Sequence, residues 1–373
     1  MRYFSQNLSA ALLAAVLCLV PLAGHAQQNG RSSQLLNLPS LHKGLDLTLH
    51  WDADAYDNLD GGMQRGYATD SVWSLGFSLD TQKLGWWRGG EFAFDLQAIA
   101  STHPSKYAGD LQRLSNLDAA NRRQLAELWY AQTFGDAALV RAGIMDMNRF
   151  FDANTTAGLF PNSSFGITPS ISANVPVSIY PTYGWGVMAQ FGRHEDGVLI
   201  GAFQGDPVHR STVLERGATF LAERDWRAGT HGPQLGIGTW YRHAPVEAGS
   251  PENDWGAYAN LQQPLPNHPG TSAFLQAGAS PGAHNIVPVY LGGGIRFHNV
   301  SAAVSDLGFG FAHAWIRNRT AETSLEATAQ IPLFDGSLTL QPDVQYILHP
   351  SGIHPNAFVV GLRLHLTLYR ATP

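Results

Sequence analysis

The residues in this chain best suited to chemistry are a carboxylate, an indole and a guanidinium at alternating positions. Glu127 and Trp129 alternate with Leu128 and Tyr130, and Arg141 alternates with Val140, Ala142 and Ile144. Read as strands, period two sends Leu128, Tyr130, Val140, Ala142 and Ile144 to an apolar face and Glu127, Trp129 and Arg141 to the other. A carboxylate, an indole and a guanidinium on neighbouring strands make a wall that can grip paired hydroxyls through directional hydrogen bonds. Just beyond, Asp146, Asn148 and Arg149 open a long polar connection, 146–183, and complete the candidate set. A plainer reading has Glu127 and Arg141 paired simply to satisfy each other, and the two roles are compatible. Within the connection, Asn162, Ser163, Ser164, Phe165 and Gly166 read as turn chemistry that pins it to a wall. Phe150, Phe151, Phe160 and Phe165 read as its own small core.

Reaction motifs are absent or poor. Asn162 to Gly166 lacks the first Gly and the strand-to-helix setting of a nucleophile elbow. His194-Glu195-Asp196 lacks the second His of a zinc motif. Gly292-Gly293-Gly294 opens a strand, so it is no phosphate cradle. Fifteen His scatter without ligand spacing. The expectation is a non-enzyme with no cofactor and no metal.

The elements that must position the candidates are strands. Ala357 to Leu368 reads AFVVGLRLHLTL and Ser337 to Leu348 reads SLTLQPDVQYIL. In the first, Phe358, Val360, Leu362, Leu364, Leu366 and Leu368 oppose Gly361, Arg363, His365 and Thr367. In the second, Leu338, Leu340, Val344, Tyr346 and Leu348 oppose Thr339, Gln341, Asp343 and Gln345. Each has one greasy and one wet face and suits a tilted strand crossing a bilayer. After the N-terminal apolar run no stretch is long enough for a membrane helix, and closed barrels are the other spanning solution.

Residues 1–26 read as a signal peptide, with Arg2, an apolar Leu8 to Val20 and a Gly24-His25-Ala26 cleavage site. Lipidation at Cys18 is disfavoured because Leu17 stands where a small residue is needed. Cys18 is the only cysteine, so the mature chain has no disulfides. Of 23 Lys and Arg, Arg2 leaves with the signal, so 22 stand against 29 Asp and Glu. That acidic balance argues against nucleic acid as a partner. Gly at 39 and aromatics at 11% suit curved strands and interfacial belts.

About sixteen alternating segments fill 45–369, after a periplasmic segment at 27–44. They lie at 45–54, 72–82, 91–101, 126–134, 138–146, 184–192, 197–205, 217–224, 234–243, 253–263, 271–279, 287–298, 304–315, 322–333, 337–348 and 357–368, of which 217–224 and 271–279 are weak. Leu111 to Leu125 suggests a short helix. The fold class is all-β, a transmembrane antiparallel β-barrel in a bacterial outer membrane. Its partners are then outer-membrane lipid and the barrel-assembly machinery, and a homo-oligomer is left open.

Several segments resemble one family. AELWYAQTF (126–134), AGIMDMNRFF (142–151), LFPNSSFGITP (159–169), NVPVSIYP (174–181) followed by YGWGV, SLTLQPDVQYILHP and NAFVVGLRL together look like the carbohydrate-selective porins of the OprB type. The resemblance implies a sixteen-stranded porin that passes mono- or oligosaccharides by diffusion. It also implies that the third outer loop, 146–183, folds into the lumen and narrows it. Asp146, Asn148 and Arg149 then join Glu127, Trp129 and Arg141 at the constriction. Glu326, Asp343, Arg363 and His365 are expected as lumen wall, far from the narrow point. One departure stands out: Leu368 takes the place of the usual terminal aromatic, and Tyr369 to Pro373 runs on.

Overall fold

The computed structural model describes residues 43–193, 195–210, 215–229, 232–245 and 251–371. The signal peptide and most of the expected periplasmic segment lie outside the described residues. Sixteen strands run in sequence order: β1 Leu45–Asp60, β2 Gly66–Asp80, β3 Gly90–Ser101, β4 Arg122–Phe134, β5 Ala138–Met145, β6 Gly184–Arg193, β7 Asp196–Gln204 and β8 Ala218–Arg227. Then come β9 Gln234–His243, β10 Asn253–Pro264, β11 Thr271–Ala279, β12 Val289–His298, β13 Asp306–Trp315, β14 Glu322–Leu333, β15 Leu338–Leu348 and β16 Ala357–Ala371. Every neighbour pairs antiparallel, and β1 pairs with β16 to close the barrel. Closure removes the edges that an open sheet would leave unpaired in lipid.

The faces follow the alternation. Trp73, Leu75, Phe92, Leu96, Leu128, Val344 and Tyr346 are exposed on the outer face. Asp70, Gln276, Ser324, Glu326, Gln341, Asp343 and Gln345 are buried on the inner parity. Exposed aromatics gather at both ends. Trp86 and Trp87 with Phe134 and Phe191 mark one rim; Tyr67, Trp185, Trp255 and Trp315 mark the other. These are the girdles that a barrel places at lipid headgroups.

Three details differ from the sequence reading. The expected helix at 111–125 is absent: helix α1 is the single turn Ser105–Ala108, and β4 already begins at Arg122. Second, β4 carries a bulge, because Asp95 pairs with Glu127 while Leu96 pairs with Leu125. The extra residue, Ala126, is buried. Such bulges re-aim side chains locally. Third, Ile144 is not a lipid-face residue but is buried with Ala126 and Tyr183.

The connection 146–183, with its single-turn helix α2 at Pro169–Ser172, shares two apolar cores with the barrel wall. Phe151 packs edge-on to Phe203 of β7, beside Leu199, Leu221, Trp240 and Tyr258. Phe160 and Phe165 pack on Phe274 of β11, near Tyr290 and Ala312. The four Phe are therefore not a self-contained core. Glycine makes the close approach possible. A Cβ at Gly310 would lie 2.9 Å from the Phe165 ring, and one at Gly278 would lie 1.9 Å from Ser170 Oγ.

Candidate functional site

Glu127 is the centre of the predicted group. Its side chain is buried, and three donors converge on it. Arg149 Nε lies 3.0 Å from Oε1, the Asp146 backbone N–H donates to Oε1 at 3.3 Å, and Trp129 Nε1 donates to Oε2 at 3.2 Å. Asn148 stands behind this group. Its backbone N–H donates to Asp146 Oδ1 at 2.8 Å. Its amide donates to the carbonyls of Phe151, Asp152 and Gly166, so it fixes the turn that presents Arg149. Arg149 itself remains more than half exposed.

Arg141 is not the partner of Glu127. Its guanidinium lies over the Trp129 ring at 3.8 Å and over Phe150 at 4.6 Å. Cation–π contact holds it there, worth about 0.5–2 kcal/mol depending on desolvation. The six predicted residues thus come together: an ion pair Glu127–Arg149, a stacked pair Trp129–Arg141, and a loop stem of Asp146 and Asn148. Burial pushes the Asp146 carboxyl up to about 7, against the pull of the Asn148 N–H.

The connection is tied to many strands. Asp152 Oδ2 accepts from the Thr168 N–H at 2.7 Å and Oδ1 from Asn260 of β10 at 2.6 Å, while its own N–H donates to Glu223 of β8 at 2.9 Å. Burial raises the Asp152 carboxyl to about 7, offset in part by those bonds. Asn162 donates to Ser324 and Gln345, and Gln341 donates to the Leu159 carbonyl. Ser164 Oγ donates to Gln112 Oε1 at 3.0 Å. Asn162 thus pins the connection to the wall at β14 and β15, whereas Ser163 and Ser164 tie it to the β3–β4 connection.

A cavity of about 820 Å³ lies beside the group, lined by Asp146 and Asn148, by Arg113, Asn116 and Asp118 of the β3–β4 connection, and by Asp52 and Arg363 of the wall. Arg363, expected far from the narrow point, is on this cavity. It donates to both oxygens of Asp54 at 2.7 Å and to Asn116 at 2.7 Å. The β3–β4 connection was missed as a site element. Glu322 of β14 accepts the backbone N–H groups of Leu111, Gln112 and Ser351, and Gln345 donates to the Leu114 carbonyl. Its only sequence signal is a run of polar residues, and the partners that order it lie some 200 positions away. Arg210, in the β7–β8 connection, was also missed: it donates to the carbonyls of Tyr183 and Leu125, beside the bulge.

The model for the carbohydrate-selective porin, OprB family, matches residues 64–243 and 224–368. Porin B of Pseudomonas aeruginosa is 24% identical over 406 aligned residues, spanning 87% of each chain. Among solved structures, Pseudomonas putida OprB at high pH superposes with a TM-score of 0.78 at 20% identity, covering 87% of this chain and 94% of that one. A substituted porin of Rhodopseudomonas blastica superposes at 0.57 with 10% identity, covering 87% and 99%. Those two structures share the barrel fold with this chain.

Proposed function

The chain belongs to the carbohydrate-selective porin family of the OprB type, and we propose that its sugar selection is made at Glu127, Trp129, Arg141, Asp146, Asn148 and Arg149. It is an outer-membrane β-barrel porin that passes carbohydrates. In this reading the connection 146–183 lies within the lumen and leaves a narrow passage along the wall that carries Glu127. A porin needs polar groups that replace a sugar's hydration shell, held weakly enough for release. The observation that carries the proposal is the convergence on Glu127 of Arg149, Trp129 and the Asp146 N–H, with Asp146 and Asn148 lining the adjoining cavity. A carboxylate and a guanidinium side by side offer acceptor and donor to adjacent hydroxyls. Asn148 positions the stem, and the Arg141 stack keeps the Trp129 ring in place. The protein does no covalent chemistry. Its aromatic girdles contact outer-membrane lipid, and β16 is the strand that the barrel-assembly machinery reads.

The test is single-channel conductance of the refolded protein in a planar bilayer, titrated with glucose, maltose and a non-sugar solute of similar size. Saturable block by a sugar and not by the control supports the constriction. Open channels with no solute-specific block reduce the site to a general diffusion pore.

A further inference from the structure

Strands β6 to β13 give much of their inner face to the apolar cores under Phe151, Phe160 and Phe165. Buried charges stand on both halves of the wall: Glu223, Asp225, Arg242 and Asp254 on β8 to β10, and Asp54, Asp70, Glu326 and Asp343 with Arg363 on β14 to β2. Among these, Arg363 and Asp54 close on each other with only 13% and 0% of their side chains exposed. The neighbouring pair His365–Asp52 is different. His365 Nδ1 meets Asp52 Oδ1 at 2.5 Å, yet the side chains stay 43% and 26% exposed. His50 stacks on His365 with ring centroids 5.7 Å apart, and Thr367 Oγ1 lies within reach of both imidazoles. Asp52 lines the same cavity as Asp146. An accessible carboxylate, two flat imidazoles and a hydroxyl are the groups that hold a pyranose ring, through hydroxyl bonds and contact with its C–H face.

The wall between this cluster and Glu127 is polar and low. The strand register runs His50, Ser74, Gln97, Gln124 across β1 to β4, and one step along the strands Thr48, Gly76, Asp95, Glu127. Ser74 and Gly76 are small and half-exposed, so they leave a recess. Gln97 and Gln124 bond to each other at 3.4 Å and supply amides along it. On the other side of this track Val72 and Ile99 are roofed by Ala119, Leu117 and Tyr180. At ~4.8 Å per strand spacing, β1 and β4 stand roughly 15 Å apart across the wall, longer than one sugar ring.

Building on the constriction proposed above, we infer that Asp52, His50 and His365 form a second carbohydrate station. On this inference the channel holds a short oligosaccharide of about three rings at two points, one at Glu127–Arg149 and one at His365–Asp52. A monosaccharide uses the Glu127 station alone.

The experiment compares block by glucose and by maltotriose in wild type, His365→Ala, Asp52→Asn and Glu127→Ala, each first shown to be inserted by a heat-dependent gel shift. Loss of one hydrogen-bonding group to a bound sugar weakens binding by ~10-fold. The expected result is maltotriose block ~10-fold weaker in His365→Ala and Asp52→Asn with glucose block unchanged, while Glu127→Ala weakens both. Maltotriose block that stays at the wild-type level in both wall variants overturns the second station and leaves the constriction standing. Equal weakening of both sugars in the wall variants also overturns it, because the residues then serve one shared site. A wild-type channel blocked by neither sugar overturns the constriction and the station together.

Discussion

Replacing Glu127 by Ala removes an acceptor from three donors at once, which makes it the sharpest test of the site. The Arg149 side chain is 57% exposed and can rehydrate, so its loss costs about 0–1 kcal/mol. Trp129 Nε1 and the Asp146 N–H are part-buried and would be left without that acceptor, at about 1–2 kcal/mol each. The loop stem should therefore lose about 1–3 kcal/mol of its attachment to β4 through Asp146 and Arg149, while Trp129, itself on β4, loses the bond that orients its ring and the barrel ladder is untouched. A sugar that used the carboxylate loses a charged hydrogen bond of about 1.5–3 kcal/mol, or ~10–100-fold in affinity. Glu127→Gln keeps the shape and one carbonyl acceptor, and should fall between the two. The assay is sugar block of single channels, with current noise as the report on the loop. Block within twofold of wild type in Glu127→Ala channels refutes the reasoning. So does failure of Glu127→Ala to insert when Glu127→Gln inserts and is blocked normally, because the group is then structural.

Four further outcomes follow from the geometry. Glu322→Ala strips three backbone N–H groups of their acceptor at about 1–3 kcal/mol each, so the β3–β4 connection should loosen and conductance rise, measured in the same bilayer assay. Gly278→Val puts a methyl-bearing Cβ where Ser170 Oγ sits, so it should lift the connection 146–183 and weaken sugar block while the gel shift on heating persists. Leu364→Arg places a charge on the outer face between Ala53 and Leu340 and should cost about 2–4 kcal/mol, read as loss of folded barrel in a urea titration. Asp146, raised to about 7, gains its negative charge as pH climbs through neutrality, so cation preference should rise between pH 6 and 8 in wild type and rise less in Asp146→Asn, where Asp152 still titrates.

The barrel was legible because lipid enforces alternation on the outer face of each strand. Strands such as β15 keep Val344 and Tyr346 outside against Asp343 and Gln345 inside, and a period-two reading finds them. The weak segments 217–224 and 271–279 fail that reading for a physical reason. Leu221 and Phe274 face inward and belong to the cores under the connection 146–183, so both parities are apolar there. The false helix at 111–125 arose from Leu111, Leu114 and Leu117 at near-helical spacing. Leu114 instead packs on Tyr56 and Ile347, and the backbone around it is satisfied by Glu322 and Gln345 from distant strands. Local pattern carries no information about such partners.

The same limit explains the site. Parity alone placed Glu127, Trp129 and Arg141 on one face, but it could not choose which arginine meets the carboxylate. The choice is made by the turn at Asp146 to Arg149, which Asn148 locks through three carbonyls and which swings Arg149 onto Glu127. Arg141 is then left to stack on Trp129, where the Glu127 bond to Nε1 already orients the ring. The bulge at Ala126 completes the arrangement: by standing out of register, Ala126 lets Leu125 face outward opposite Leu96 while Glu127, two residues on, faces inward opposite Asp95. Deleting Ala126 should therefore leave a regular strand with Leu125 outside and Glu127 still inside, and remove only the buried side chain that packs with Ile144 and Tyr183. Sugar block should persist in such a channel, and its loss would show that the local kink of the bulge, beyond the parity it leaves, sets the site.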